Sequence, residues 1–517
     1  MRDSFNYLEP LRVALLLAVV AVYALAALMP SWRVARVCSA LAVGFSAASL
    51  ALLAYSGSFI ANGLRADALG CIALLLVTFI GWVIARYSQT YMGGDSGQAR
   101  YTRWLMATLA AVSVVVVTNN LAVLALAWLA TSLALHQLLT FFSHRPAALV
   151  AAHKKFLASR LGDVCLFAGV ALIGTSLGSL EIDQVVSKAL ALPVYPIALT
   201  AAAYLIVISA LLKCAQLPVH GWLIQVMEAP TPVSALLHAG IVNLGGFLMI
   251  RLSPFIAEVS GAQTLLVVVG SLTAALAALV MMTRISVKVM LAWSTCAQMG
   301  FMLMQCGLGA YDLALLHLVA HSLYKAHAFL AAGGAVEQAR LRAMTAPRAD
   351  VSLTMLLLGA AIGLVVVSSA GMIWGVAFDK LTPLWVLAAV VSLALAPLLT
   401  AQAVRLGGLW PLAMLLGAFG VALAYFGLHH IFGWFVEPAR TSGASMFNLV
   451  WVLLCFVLLF TMQCLIRARP HGTVASTLYS WFYAGLYLDE WFTRVTFRIW
   501  PAKLSRTSIN SERGVSK

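Results

Sequence analysis

The chain has 517 residues, of which 63% are hydrophobic and only 9% charged, with a formal net charge of +15. Soluble domains carry about 25% charged residues, so this composition excludes a water-solvated globule. The positive charge is distributed over loops rather than gathered into one patch, and no nucleic-acid partner is expected from it.

Apolar runs recur from end to end, at 11–29, 33–54, 66–86, 104–118, 121–142, 161–178, 197–217, 233–250, 262–282, 287–307, 311–331, 351–375, 384–404, 410–430 and 447–466. That is about 15 spans, each long enough to cross ~30 Å of hydrocarbon as a helix. Lipid cannot satisfy a bare backbone, so helices are expected, and the alternating strands of a membrane barrel are absent from the pattern. The first run follows Asp3 and Glu9 rather than a basic leader, which makes it a first span and not a signal peptide.

Loops after odd-numbered spans hold most of the Lys and Arg, among them Arg33, Arg36, Arg100, Arg103, Lys154, Lys155, Arg284 and Lys288. Loops after even-numbered spans hold few, such as Arg65, Lys188 and Arg251. The positive-inside rule then predicts a multi-pass protein of a bacterial inner membrane, with a periplasmic N-terminus and a cytoplasmic C-terminus. Beyond the last span, 481–503 mixes aromatics with Asp489, Glu490, Arg494 and Arg498, and reads as an interfacial amphipathic helix or a docking surface for a partner. The residues after it read as a polar tail.

The eight cysteines are scattered with no CxxC pair, so neither a disulfide framework nor a thiolate metal site is expected. There is no phosphate-binding loop and no nucleophile elbow, which argues against a nucleotide site or a hydrolase. The chain itself is expected to be a transporter subunit rather than an enzyme, without a cofactor of its own.

Ionisable groups at membrane depth are costly and mark ion or proton pathways. The richest stretch is 213–243, "KCAQLPVHGWLIQVMEAPTPVSALLHAGIVN", which holds Lys213, His220, Glu228, His238 and three prolines. Pro218, Pro230 and Pro232 each remove a backbone donor and are expected to break helices there. A break at mid-membrane is tolerated where it faces protein or a hydrated cavity. A lysine at such a break, as Lys213 is, gains and loses a proton under the influence of nearby charge. His317, His321 and Lys325 recur at i, i+4 and i+8 and so line one helical stripe. The two histidines have the spacing of a zinc pair, but the lysine one turn on disfavours a cation, and a proton relay is the stronger reading. Lys288, at the start of its span, is either a topology anchor or part of the same path.

These stretches resemble the antiporter-like subunits of respiratory complex I and the Mrp cation/proton antiporters. The likeness runs through Lys213, Gln216, Pro218, His220, Trp222, Pro230, Thr231, Pro232, Ser234 and His238. It extends to "KKFLASRLGD" (154–163), "VKVMLAWSTCAQMGFM" (287–302), "HLVAHSLYKAHAFLAAG" (317–333) and "GLYLDEWF" (485–492). The resemblance implies an all-α polytopic membrane fold of about 14–16 helices, with two inverted five-helix repeats, each with a broken helix. The implied division is N-terminal helices over 1–100, a first repeat over 101–252, a second over 260–405, further helices over 406–470, and the amphipathic segment and tail over 471–517. It also implies a polar axis: Lys213 at the first break, continued by His238, Lys288, His317, His321 and Lys325.

The departures from that family are specific. Its fifth span carries a glutamate after a tryptophan; here Leu129 follows Trp128, and the replacement candidates are Asp163, Glu228 and His136. Glu228 is equally readable as a surface cap. The family's second broken helix carries a lysine; here Gly371 and Gly375 mark the expected break, with no lysine before Lys380. The short length and the Glu-Ala-Pro-Thr-Pro variant of the signature resemble, within the family, the membrane subunit of an inorganic-carbon accumulation complex. That resemblance implies an ion-translocating, energy-coupling subunit moving protons or sodium ions. Its cytoplasmic partner would be a zinc-containing protein that hydrates carbon dioxide to bicarbonate. The alternative is a subunit of a complex I-like NADH:quinone oxidoreductase or of an Mrp-type cation/proton antiporter.

Overall fold

The structure, a computed structural model, describes residues 8–143, 145–334, 352–376, 381–401, 409–436, 444–469 and 472–500. Twelve helices among the described residues are long and apolar enough to cross a membrane. Two shorter apolar helices, Ile197–Lys213 and Pro383–Leu399, join them. The less apolar Tyr311–Leu330 helix has span length. Twelve, two and one make fifteen, and each falls on one of the fifteen apolar runs.

The expected boundaries hold to within a few residues, and 287–307 coincides with the helix Val287–Gly307. One run was much too short. The helix expected over 161–178 begins at Pro146 and ends at Leu177, capped by Gly178 in the left-handed conformation. Its first half carries Lys154, Lys155 and Arg160, which hid it from a hydropathy reading. A second element was not expected. Phe59–Ala61 pairs antiparallel with Leu64–Ala66 across Asn62-Gly63, both at positive φ. Asn-Gly is the strongest two-residue hairpin signal.

Packing is close where glycines line up. A Cβ on Gly270 would lie 2.6 Å from the Gly300 carbonyl oxygen, so Ser260–Met281 and Val287–Gly307 touch backbone to backbone. Gly363 meets Ser392 in the same way and joins Leu353–Ile373 to Pro383–Ala401.

The stretch 213–243 is broken twice. The Ile197–Lys213 helix stops at Lys213; the chain passes through Ala215 at φ 53° and resumes as Gly221–Gln225. The backbone groups freed by this break are satisfied by side chains. Gln216 Nε2 donates to Cys214 O at 2.8 Å, Leu217 N donates to Thr273 Oγ1 at 3.2 Å, and Cys296 Sγ contacts Ala215 O at 3.1 Å. The second interruption is at Gly240, between Thr231–Ala239 and the 3₁₀ turn Ile241–Asn243.

Two expectations about breaks need correction. Pro230 and Pro232 begin a helix rather than break one. Pro230 is the N-cap of Thr231–Ala239 and Pro232 lies in its first turn, where a missing N–H costs nothing. Gly371 does not interrupt its helix either. Leu353–Ile373 runs through it, and Gly375, at φ 71°, ends it with Val376 N donating to Gly371 O at 3.0 Å. Lys380 lies outside the described residues.

Candidate functional site

The site is built around Lys213. Its ammonium forms an ion pair with Asp163 of the Pro146–Leu177 helix, both side chains at most 7% exposed. Arg160 Nη2 meets the other carboxylate oxygen of Asp163 at 2.6 Å, so one acid holds two cations. The Lys213 ammonium also lies 5.1 Å from the centre of the Trp128 ring, within cation–π range. Gly162 makes the approach possible, since a Cβ there would sit 3.2 Å from Lys213 Cγ. Of the three replacement candidates for the acid absent after Trp128, Asp163, on the next helix, is the one that meets Lys213.

The other two candidates for that acid lie elsewhere. Glu228 is a half-exposed group 3.9 Å from Arg145. His136 packs on Phe156, ring centres 5.1 Å apart. Neither contacts Lys213, and Glu228 has the geometry of the surface cap.

The remaining line runs through the core. His238 is fully buried, stacked on Phe329 at 4.5 Å, and both ring nitrogens lack a partner among the described residues. His321 is likewise buried, with both nitrogens unpartnered among the described residues, and its ring centre is 6.0 Å from that of His317. Unpartnered buried donors and acceptors of this kind call for water. Lys325 is fully buried and donates to Ser294 Oγ at 2.8 Å and Leu291 O at 3.2 Å. Lys288, half-buried, donates to Thr231 Oγ1 at 2.8 Å. It therefore ties the start of its span to the start of the His238 helix.

Three groups near this line were not picked out from the sequence. Lys155 is buried and donates to the carbonyl and hydroxyl oxygens of Ser132 at 3.0 and 2.8 Å. Asn243 donates to Ser322 Oγ at 2.7 Å and bridges the two helices that carry His238 and His321. The third is Asp489. The C-terminal segment expected to lie on lipid or on a partner folds back on its own chain through one face. Lys154, with a fully buried side chain, contacts Asp489 at 2.5 Å and donates to Thr493 at 2.8 Å. Gln225 donates to the same carboxylate at 3.2 Å, and Trp500 stacks on His153 at 3.8 Å. A Cβ on Gly221 would lie 1.7 Å from Asp489 Oδ1, so this acid is seated on the bare backbone where the broken helix resumes. The opposite face exposes Trp491, Phe497 and Ile499.

Away from the line, Asp67 caps the Ala68–Tyr91 helix and pairs with Arg251 and with Arg65 Nε, the latter at 2.6 Å. Burial alone would raise its carboxyl group, but the charges of Arg251 and Arg65 overcome this and hold it well below the usual carboxylate range. Among the described residues, no three His, Cys, Asp or Glu side chains come together as a metal site.

A broken helix carrying a buried lysine–carboxylate pair, followed by a line of buried histidines and a second lysine, defines an antiporter-like membrane subunit. Residues 118–404 match the family described as NADH:quinone oxidoreductase/Mrp antiporter, TM, and residues 54–102 match NADH-Ubiquinone oxidoreductase (complex I), chain 5 N-terminus. The chain belongs to this antiporter-like family, with the subunits named DabB. It is 42% identical over 437 residues to the probable inorganic carbon transporter subunit DabB of Hydrogenovibrio crunogenus, covering 84% of this chain and 82% of that one. To the probable subunit DabB2 of Halothiobacillus neapolitanus it is 39% identical, covering 91% and 85%. Among solved structures, the Mrp complex from Dietzia sp. DQ12-45-1b superposes with a TM-score of 0.57 at 25% identity, over 98% of this chain and 58% of the other.

Proposed function

We propose that this chain is the ion-translocating subunit of an inorganic-carbon pump, coupling cation influx to hydration of carbon dioxide by a zinc-containing, DabA-like partner on the cytoplasmic side. Catalysis then belongs to the partner, and this chain supplies the driving force. The observation that carries the reading is the buried Lys213–Asp163 pair at the helix break, in a chain similar along most of its length to DabB subunits. A lysine held by one carboxylate that also serves Arg160 is poised between keeping and passing its proton, as the charge around it changes. The proton is favoured over sodium. The line is made of Lys and His nitrogens with one carboxylate, whereas sodium requires a cluster of oxygen ligands.

In this reading a proton moves through bound water between Lys325 and Lys213 by way of His321 and His238, and is exchanged at the break. Lys288 holds the intervening helices in register. The alternative reading, a subunit of a redox-driven or cation-antiporting complex, uses the same line with a different partner.

The experiment is growth rescue in air of a strain lacking carbonic anhydrase. Rescue is expected only when this chain and a DabA-like protein are expressed together. Rescue by the partner alone contradicts the proposal. NADH-driven or sodium-linked proton movement in everted vesicles carrying this chain would favour the alternative.

A further inference from the structure

The second half of the molecule poses a problem that the first does not. Among the described residues Lys325 meets a hydroxyl and a carbonyl but no acid, and the Leu353–Ile373 helix, where the second break was expected, carries no lysine. A proton needs another way to reach Lys325. Ser294, the hydroxyl partner of Lys325, also lines a cleft of about 360 Å³, together with Gln298, His317, His321 and Tyr425. Buried polar atoms around that cleft, both nitrogens of His321 and the hydroxyl of Tyr425, lack partners among the described residues, so the cleft offers water both room and polar groups to bind.

Tyr425 and His429 stand one turn apart on the Trp410–Gly433 helix. His429 Nδ1 contacts the carboxylate of Asp312, with side-chain exposures of 31% and 15%. Asp312 lies in the first turn of the helix that carries His317, His321 and Lys325. The pair therefore sits at the N-terminal end of the helix that carries the stripe, one turn from Tyr425 of the cleft along the Trp410–Gly433 helix, and is partly open to its surroundings. A carboxylate and an imidazole in contact, half-buried, form a proton acceptor and donor in one place.

We infer that Asp312 and His429 form the terminal proton exchanger of the second half, taking the place of the lysine missing from the second expected break. The charge-based orientation puts this end outside. A proton bound at the pair from the outer side moves by way of cleft water to His317 and His321 and then to Lys325. Each transfer breaks one N–H or O–H bond and forms another, and the pair returns to its starting state by taking the next proton from solvent. The inference rests on the ion-path reading above and deepens it.

The test is proton flux in liposomes containing the full chain with its partner, read with an internal pH dye under an imposed gradient. Asp312→Asn and His429→Gln are each expected to lower the flux by about tenfold or more, the scale of a positioned proton-transfer group. The double variant is expected to lose no more than the worse single one, and Asp312→Glu to keep most of the flux. His429 is partly exposed, so His429→Gln carries the test even if an Asp312 variant does not fold. Wild-type flux in His429→Gln, with Lys213→Ala and Lys325→Ala inactive, overturns this inference and leaves the proposed function standing. Wild-type flux in all of these variants overturns both.

Discussion

The two halves of the path hold their lysines differently. Lys213 at the first break faces a carboxylate, Asp163, which it shares with Arg160. Lys325 in the second half meets Ser294 Oγ and Leu291 O and, among the described residues, no carboxylate. A lysine with an acid partner keeps its charge and is released by moving the partner or its competitor. A lysine without one depends on burial and water, and changes state when a neighbouring charge arrives. Under the proposed function the difference gives the two halves separate tasks, a switch at Lys213 and a conduit at Lys325.

The variants that break this comparison are ordered by expected effect. Lys213→Ala removes the switch and leaves Asp163 with Arg160 alone; proton-driven carbon uptake is expected to vanish while the complex still assembles on a sizing column. Asp163→Asn makes the first half resemble the second. It leaves the buried Lys213 and the half-buried Arg160 without their acid, at a cost of about 3 kcal/mol. Flux is expected to fall strongly and thermal stability in detergent to drop, with Asp163→Glu recovering part of both. The converse change, Ser294→Asp, gives Lys325 an acid and makes the second half resemble the first. It is expected to trap the proton and slow flux by about tenfold, read by the same dye assay; unchanged flux would mean that the acid partner does not distinguish the halves.

A weaker effect is expected at the Asp67 cluster, which fastens the end of the His238-bearing span to the Ala68–Tyr91 helix. The folded Asp67 carboxyl is depressed, so its contribution is fully present above the ordinary carboxylate range near pH 4. It is lost as the pH falls through the folded value. Melting in detergent between neutral and acid pH should therefore show a stability difference between wild type and Asp67→Asn that shrinks toward acid. The smallest effect belongs to Glu228→Gln. The group is half-exposed and 3.9 Å from Arg145, and exposed pairs contribute about 0–1 kcal/mol; growth in air is expected to be unaffected. A large defect there would mean that Glu228, not Asp163, is the acid of the path.

Much of the fold was legible because each span is a hydropathy event confined to its own residues. The legible failures are the places where polar side chains satisfy one another inside the membrane. The first half of Pro146–Leu177 reads as a loop because of Lys154, Lys155 and Arg160. In the fold these meet Asp489, Ser132 and Asp163. Asp163 was picked out as one of three candidate acids, but only the packing of its helix against Ile197–Lys213 separates it from Glu228 and His136. The Lys154–Asp489 contact joins residues 335 apart in sequence, and no local pattern announces it. Gly221 gives the nearest hint, since a glycine where a helix resumes marks a close approach, but not what approaches. Prolines misled in the opposite sense: Pro230 and Pro232 looked like breaks because their effect depends on position within a helix, and both stand at its start.

The most direct measurement of the central claim is proton uptake by the complex in liposomes, comparing wild type with Lys213→Ala and Asp163→Asn under the same imposed gradient and with carbon dioxide supplied. The account predicts no gradient-driven uptake in Lys213→Ala and a strongly reduced rate in Asp163→Asn. Uptake at the wild-type rate in both would contradict it.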